Sequence, residues 1–266
     1  MRTLGTLPGS AVAWVAGRAD PWAAWLADPE RRPDAVAIAT PAALHADHAL
    51  AVLAAGLPVF IEKPVALALA DAEQVRAAAH AKHLVVVVDH VHLFNPAWRA
   101  LKARVPGAVS VESEAGNAGP FREDLSPLWD WGAHDVALSL DLFGVSPTQM
   151  RCVPDAEGNH RLDLAFPGGR IWRARVGSRF SAKTRRVRVE YPGGTASWDD
   201  LTDPKLACNG EPVPVGTEPA LTVALREFLA AAAGGPEPSS NAALGVEVVR
   251  ILAACGPAHE GGAPGL

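Results

Sequence analysis

Val59-Phe60-Ile61-Glu62-Lys63-Pro64 is the stretch on which the fold turns. Three apolar residues that follow an alanine-rich helix read as a buried strand, and the charged pair with its proline closes it. A lysine at the carboxyl end of such a strand stands where open α/β sheets keep their ligand crevice. Upstream, Ala37-Ile38-Ala39-Thr40-Pro41 repeats the plan: an apolar strand, a turn, then a helix carrying His45 and His48. From residue 33 to about 88, apolar runs at 36–39, 59–61 and 84–88 alternate with alanine-rich helical stretches at 43–55 and 69–81. That alternation is the pattern of parallel β-α-β units. The second helix has Asp71 near its start as an N-cap, and the consecutive valines of 85–88 suit a strand covered on both faces.

After Pro106-Gly107 the texture changes. Segments 108–115, 161–166, 171–176 and 185–190 are β-type, with Pro167-Gly168-Gly169 and Pro192-Gly193-Gly194 as hairpin-type turns. Val187-Arg188-Val189-Glu190 alternates with period two, so that sheet has one solvated face. A helix begins around Trp131, runs through Leu138 to Phe143 and stops at Gly144. Helices return at 221–233 and 243–254, joined by a polar loop, and the glycine-rich tail after Gly256 is expected to fray. The expected fold class is α/β: a Rossmann-like parallel-sheet domain over 1–106, then an α+β domain over 107–266 with a mainly antiparallel open sheet. The last helices should pack back at the junction.

The chain has 266 residues, enough for two modest domains, and no internal repeat. Its 24 basic and 29 acidic residues leave a net charge of -5, so there is no basic field for a nucleic acid partner. Cys152, Cys208 and Cys255 are widely spaced and odd in number, which argues against a disulfide framework or a cysteine zinc site. Reduced thiols in the cytoplasm are expected. Pro8, Gly9 and Ser10 break any early apolar run, and no segment has the length of a membrane span, so no membrane partner is expected.

A second cluster is Trp129-Asp130-Trp131-Gly132-Ala133-His134-Asp135. Asp130 and His134 are four apart, a spacing that at a helix start points both to one side. A neutral imidazole can accept a hydroxyl proton, and a carboxylate can orient it and stabilise its cation. The structural alternative makes Asp130 an N-cap and His134 a packed first-turn residue.

The ordered run of strand, T-P, helix with histidine, A-G turn, strand and E-K-P resembles the oxidoreductase family named after glucose-fructose oxidoreductase, inositol dehydrogenase and MocA (Gfo/Idh/MocA). In that family an aspartate and a histidine at the D-x-x-x-H spacing lie opposite the E-K-P lysine. The resemblance therefore implies Lys63, Asp130 and His134 as catalytic residues. Asp89-His90-Val91-His92-Leu93-Phe94-Asn95-Pro96 resembles the family's G-H-x-x-R-F-x-P, keeping His90, Phe94 and Pro96, with Leu93 in place of the arginine. Gly119-Pro120 followed by Arg122 resembles G-P-x-x-R. Implied substrate contacts are Lys63, His90, Arg122, Asp130 and His134; implied cofactor contacts are Arg18, Thr40, Pro41, His45, Glu62 and Lys63. No metal site is implied.

The resemblance lapses at the start, where relatives have a strand and a G-x-G-x-x-G turn that cradles a pyrophosphate. Here Met1 to Gly9 reads like the helix that follows such a loop. Val12-Ala13-Trp14-Val15-Ala16-Gly17-Arg18 resembles the second family strand. Gly17-Arg18 stands where an acidic residue normally takes the ribose hydroxyls, a change that favours NADP over NAD. The segment that follows is shorter than in relatives. The resemblance implies an NAD(P)-dependent oxidoreductase transferring hydride to or from a sugar, cyclitol or related polyol, assembled as a homo-oligomer through its open sheet. The alternative, motivated by the missing glycines, is a catalytically degenerate member acting as a binding or partner subunit. A third reading, from His90-x-His92 beside Asp89, is a metal-dependent hydrolase.

Overall fold

The computed structural model describes residues 3–120 and 124–258. In chain order its strands and α-helices are α1 (Trp22–Trp25), β1 (Val36–Ile38), α2 (His45–Ala54), β2 (Val59–Glu62), α3 (Leu69–Lys82) and β3 (Val86–Asp89). Next come α4 (Pro96–Lys102), β4 (Ser110–Gly116), α5 (Ala133–Phe143), β5 (Gln149–Pro154), β6 (His160–Phe166), β7 (Arg170–Gly177) and β8 (Thr184–Tyr191). The remainder are β9 (Gly194–Asp199), β10 (Leu206–Cys208), β11 (Glu211–Pro212), α6 (Ala220–Ala232) and α7 (Ala242–Cys255). Two compact units result: residues 3–91 with 219–246, and residues 92–218 with 247–258.

The first unit holds a parallel sheet in the order β1-β2-β3. Val59, Phe60 and Ile61 and the valines 86–88 are buried, as β-branched residues in a strand covered on both faces should be. Ser240 binds β3 through both backbone groups of Val88: Val88 N–H donates to Ser240 O (2.8 Å) and the Ser240 hydroxyl donates to Val88 O (2.6 Å). Phe228 of α6 lies against Phe60 of β2, ring centroids 5.6 Å apart. At Gly245 a Cβ would come within 2.8 Å of Val88 Cγ2, so only glycine lets α7 begin so close to the sheet.

Two local expectations are corrected in this unit. Asp71 is not the N-cap of α3; Ala68 is, without a side-chain bond, and Asp71 lies in the first turn, where a carboxylate favours the helix dipole. Residues 12–18 form no strand. Val12 and Val15 are exposed, and Trp14 is turned aside, its indole N–H donating to Arg31 O (2.8 Å) and its ring edge-on to Trp25.

The second unit holds an eight-stranded sheet in the order β11-β10-β9-β8-β4-β7-β6-β5, antiparallel throughout except where β4 runs parallel to β7. One face buries Val111, Trp172, Val187 and Trp198. The register places Arg151, Asp163, Arg173, Glu112 and Arg188 side by side across five strands of the other face, alternating in sign. Opposite charges at paired positions favour this register.

The boundary expected at 106 differs from the division at 91/92. Residues 92–106 go with the open sheet because α4 packs on β9, and Asn95, which caps α4, donates to Asp200 (3.0 Å). The helix expected from Trp131 starts as a wide π turn, Leu128–Gly132, and becomes α5 at Ala133, ending at left-handed Gly144. Among the described residues no helix is long and apolar enough to cross a membrane.

Candidate active site

Two groups of side chains carry chemistry, one in each unit. In the first unit they line the carboxyl ends of three adjacent parallel strands: Thr40 and Pro41 beyond β1, Glu62 and Lys63 at the end of β2, Asp89 and His90 at the end of β3. Glu62 and Asp89 are register partners, so two carboxyls stand side by side with Lys63 next to them.

His45 ties two of these ends together. Its Nδ1 is 2.7 Å from Pro64 O and its Nε2 is 2.8 Å from Thr40 O, so one imidazole spans the turns after β1 and β2. Although it shares its helix with His48, it is 1% exposed; His48 is partly exposed, with Nδ1 3.3 Å from the Thr40 hydroxyl and Trp22 edge-on to its ring. Arg18 is exposed, in a turn where Gly17 N–H donates to Asp20.

The field at the strand ends is strong. Burial, and then the charge of Glu62, push Asp89 from 3.8 up to about 7, against the opposing pull of Lys63. Burial and then Lys63 push His90 from 6.5 down to about 3. Near neutrality His90 is therefore uncharged, and Asp89 is close to half-protonated. Asp89 Oδ1 is buried with no hydrogen-bond partner among the described residues.

In the second unit the D-x-x-x-H pair straddles the π turn and α5. Asp130 lies in the turn, where its own N–H donates to Ser126 O (2.9 Å) and the Ser126 hydroxyl accepts from Trp129 N–H (3.4 Å); the N-cap alternative for Asp130 is not what forms. Trp129 and Trp131 pin the turn by donating to Gly256 O (3.0 Å) and the Ser178 hydroxyl (3.1 Å). Asp130 and His134 are both partly exposed. Beside His134, fully buried Asp135 accepts from Arg185 (2.8 Å) and from the Ser113 hydroxyl (2.6 Å), which in turn accepts from Trp172 (3.1 Å). The His92 ring meets that of His134 edge to face at 4.8 Å. Arg122 lies outside the described residues.

Sequence reasoning did not single out Asp135, Arg185 or the electrostatic weight of Asp89. Arg185 had a signal: it is two residues before Val187, on the buried side of a period-two strand. His90 and His92, the pair behind the hydrolase reading, do not share a strand face, because β3 ends at Asp89 and His92 lies in the 3-10 turn Val91–Phe94. Among the described residues no three His, Cys, Asp or Glu side chains are grouped as a metal centre requires.

A parallel α/β sheet with polar strand ends, followed by an open mixed sheet carrying a D-x-x-x-H turn, defines a Rossmann-type oxidoreductase architecture. The family model described as "Oxidoreductase family, NAD-binding Rossmann fold" matches residues 11–90. The crystal structure of a candidate oxidoreductase from Magnetospirillum magnetotacticum MS-1 is 38% identical, with a TM-score of 0.86 over 96% of this chain and 94% of that one. UDP-N-acetylglucosamine 3-dehydrogenase from Acidithiobacillus ferrooxidans is 29% identical over 64% of this chain and 56% of its own length. One crystal structure of that enzyme superposes with a TM-score of 0.76 at 26% identity, over 84% of this chain and 77% of that one. 4-carboxy-2-hydroxymuconate-6-semialdehyde dehydrogenase from Sphingobium sp. is 27% identical over 82% of this chain and 76% of its own length. The chain belongs to the Gfo/Idh/MocA family of oxidoreductases.

Proposed function

We propose that this protein is an NAD(P)-dependent dehydrogenase that moves hydride between the nicotinamide and a carbon-bound hydroxyl of a sugar, cyclitol or related polyol. The observation that carries the reading is the row of Thr40, Glu62-Lys63 and Asp89-His90 on the ends of three adjacent parallel strands, the first two tied by His45. Open α/β sheets bind their ligands there. The similarity to a UDP-sugar dehydrogenase supports the substrate class.

The hydroxyl of Thr40, the carboxylate of Glu62, the ammonium of Lys63 and the unpaired Oδ1 of Asp89 form a donor and acceptor set that fits the hydroxyl- and amide-bearing nicotinamide riboside half of a dinucleotide. When bound, the dinucleotide supplies the hydride acceptor or donor. The chain's own residues handle orientation and the proton. Lys63 holds the substrate oxygen and stabilises the negative charge that develops on it. His134 takes the hydroxyl proton, and Asp130 orients that imidazole and stabilises its cation. Arg18 favours NADP in this reading, its exposed guanidinium being the group that would meet a 2′-phosphate against the nearby Asp20 carboxylate. The assembly in this reading is a homo-oligomer through the charged face of the open sheet, which sedimentation velocity tests.

The direct test is titration of the protein with NADPH and NADH, followed by turnover on a panel of UDP-N-acetylglucosamine, free sugars, inositols and open-chain polyols. NADPH should bind more tightly than NADH, and Arg18→Ala should remove the difference. Turnover confined to compounds without a secondary alcohol or its ketone would refute the reading.

A further inference from the structure

Resting on that reading, we propose that His92 is a positioning residue for His134: it fixes the orientation of the His134 ring and opposes a second proton on the pair. Both residues belong to the second unit, so their relation is a property of that unit alone. His92 is held from behind. Its carbonyl accepts from Asn95 N–H (3.1 Å), Leu93 O accepts from Arg99 Nε (3.0 Å), and Leu93 and Phe94 are buried. The His92 ring then stands between two others, edge to face with His134 at 4.8 Å and with fully buried Trp198 at 5.7 Å.

The contacts form a closed circuit. The guanidinium of Arg185 lies 5.6 Å over the Trp198 ring and bonds Asp135, which is the residue next to His134 in α5. His134, Asp135, Arg185, Trp198 and His92 therefore hold one another in sequence, and His92 closes the loop on the one ring proposed to move a proton. Both residues are partly exposed, while His134 Nδ1 itself is buried. Charged groups on the surrounding elements include Asp130 in the turn, Asp135 and Asp141 on α5, Arg185 on β8, Arg99 and Lys102 on α4, Asp199 at the end of β9 and Asp200 beyond it.

A neutral imidazole against an imidazolium is favourable, because the π face of one ring accepts the positive edge of the other. Two imidazoliums at this distance repel. The pair thus accommodates the single proton released with each hydride and resists a second, and its protons leave in two coupled steps.

The test is a histidine NMR titration of labelled protein without ligands, for wild type, His92→Phe, His92→Gln and His134→Asn. Wild type should show two mutually dependent titrations. In His92→Phe, which keeps a ring edge against His134 and Trp198, His134 should titrate in one step, the lower of the two coupled steps being lost. His92→Gln should give the same single step if the phenylalanine variant folds poorly. In turnover, the acid limb of the kcat profile should move with the His134 titration while KM changes little. A His134 titration identical in wild type and both His92 variants would overturn the proposal. Coupled titrations in a protein with no NAD(P)-linked turnover would instead overturn the dehydrogenase reading and leave the pair intact.

Discussion

Lys63 and Asp89 are neighbours at the strand ends, but they make different demands on experiment. Lys63 is partly exposed and fills no core, so Lys63→Met removes a charge and little else. In the proposed reaction it should lower kcat/KM by about 10²–10³-fold with an unchanged thermal melt; steady-state kinetics and differential scanning calorimetry check both halves. Asp89 acts on stability. Between about pH 4 and 7 the folded chain keeps a proton on Asp89 that the unfolded chain has lost, so this group makes stability fall as pH rises. Between about pH 3 and 6.5 the unfolded chain holds a proton on His90 that the folded chain refuses, so that group makes stability fall as pH falls. Where the windows overlap the slopes cancel, each being of order 1 kcal/mol per pH unit. Asp89→Asn should leave the His90 slope exposed: urea midpoints of the variant should drop steeply from pH 6.5 to 4 while those of wild type stay nearly flat. At pH 8 the variant should be the more stable. Parallel curves for the two proteins would contradict this.

At the scale of elements, β8 shows what periodicity reads and what it passes over. Its sequence Arg185-Arg186-Val187-Arg188-Val189-Glu190 alternates, and the structure buries Arg185, Val187 and Val189 on one face. The pattern is legible from the valines outward; an arginine on the buried side is surprising until Asp135 is brought against it by α5. Neither residue has a local reason to be where it is. Arg185→Met should cost about 3–5 kcal/mol because it leaves the Asp135 carboxylate buried without its cation. The double variant with Asp135→Asn should be more stable than the single one, which urea unfolding of the set will measure. The π turn before α5 is a similar case: D-x-x-x-H spacing says that the two side chains are near one another along a helix, while the wide turn depends on Trp129 and Trp131 finding acceptors at Gly256 and Ser178.

At the scale of the whole molecule, the chain leaves the parallel-sheet unit at 91 and returns to it at 219–246. β3 receives hydrogen bonds from Ser240, and β2 an aromatic cover from Phe228. A fragment of residues 1–106 therefore contains all three parallel strands yet lacks what covers two of them. It should melt without a cooperative transition by circular dichroism at 222 nm, whereas the full chain should melt cooperatively. A cooperative melt of the fragment would show that 219–246 is dispensable to this unit.

By itself the sequence determined the α/β alternation, the switch to an open sheet, the three strand-end motifs and the family they mark, because each rests on local periodicity and turn chemistry. Tertiary structure decided the rest. That His45 is a buried clamp follows from two carbonyls supplied by separate turns. That residues 12–18 pair with no strand, while Trp14 bonds Arg31, is likewise visible only in the folded chain. That His92 meets His134, 42 positions along the chain, follows from the packing of a turn, a strand and a helix around Trp198. Contacts between side chains distant in sequence leave no period to read, since their partners are fixed only when the chain closes on itself.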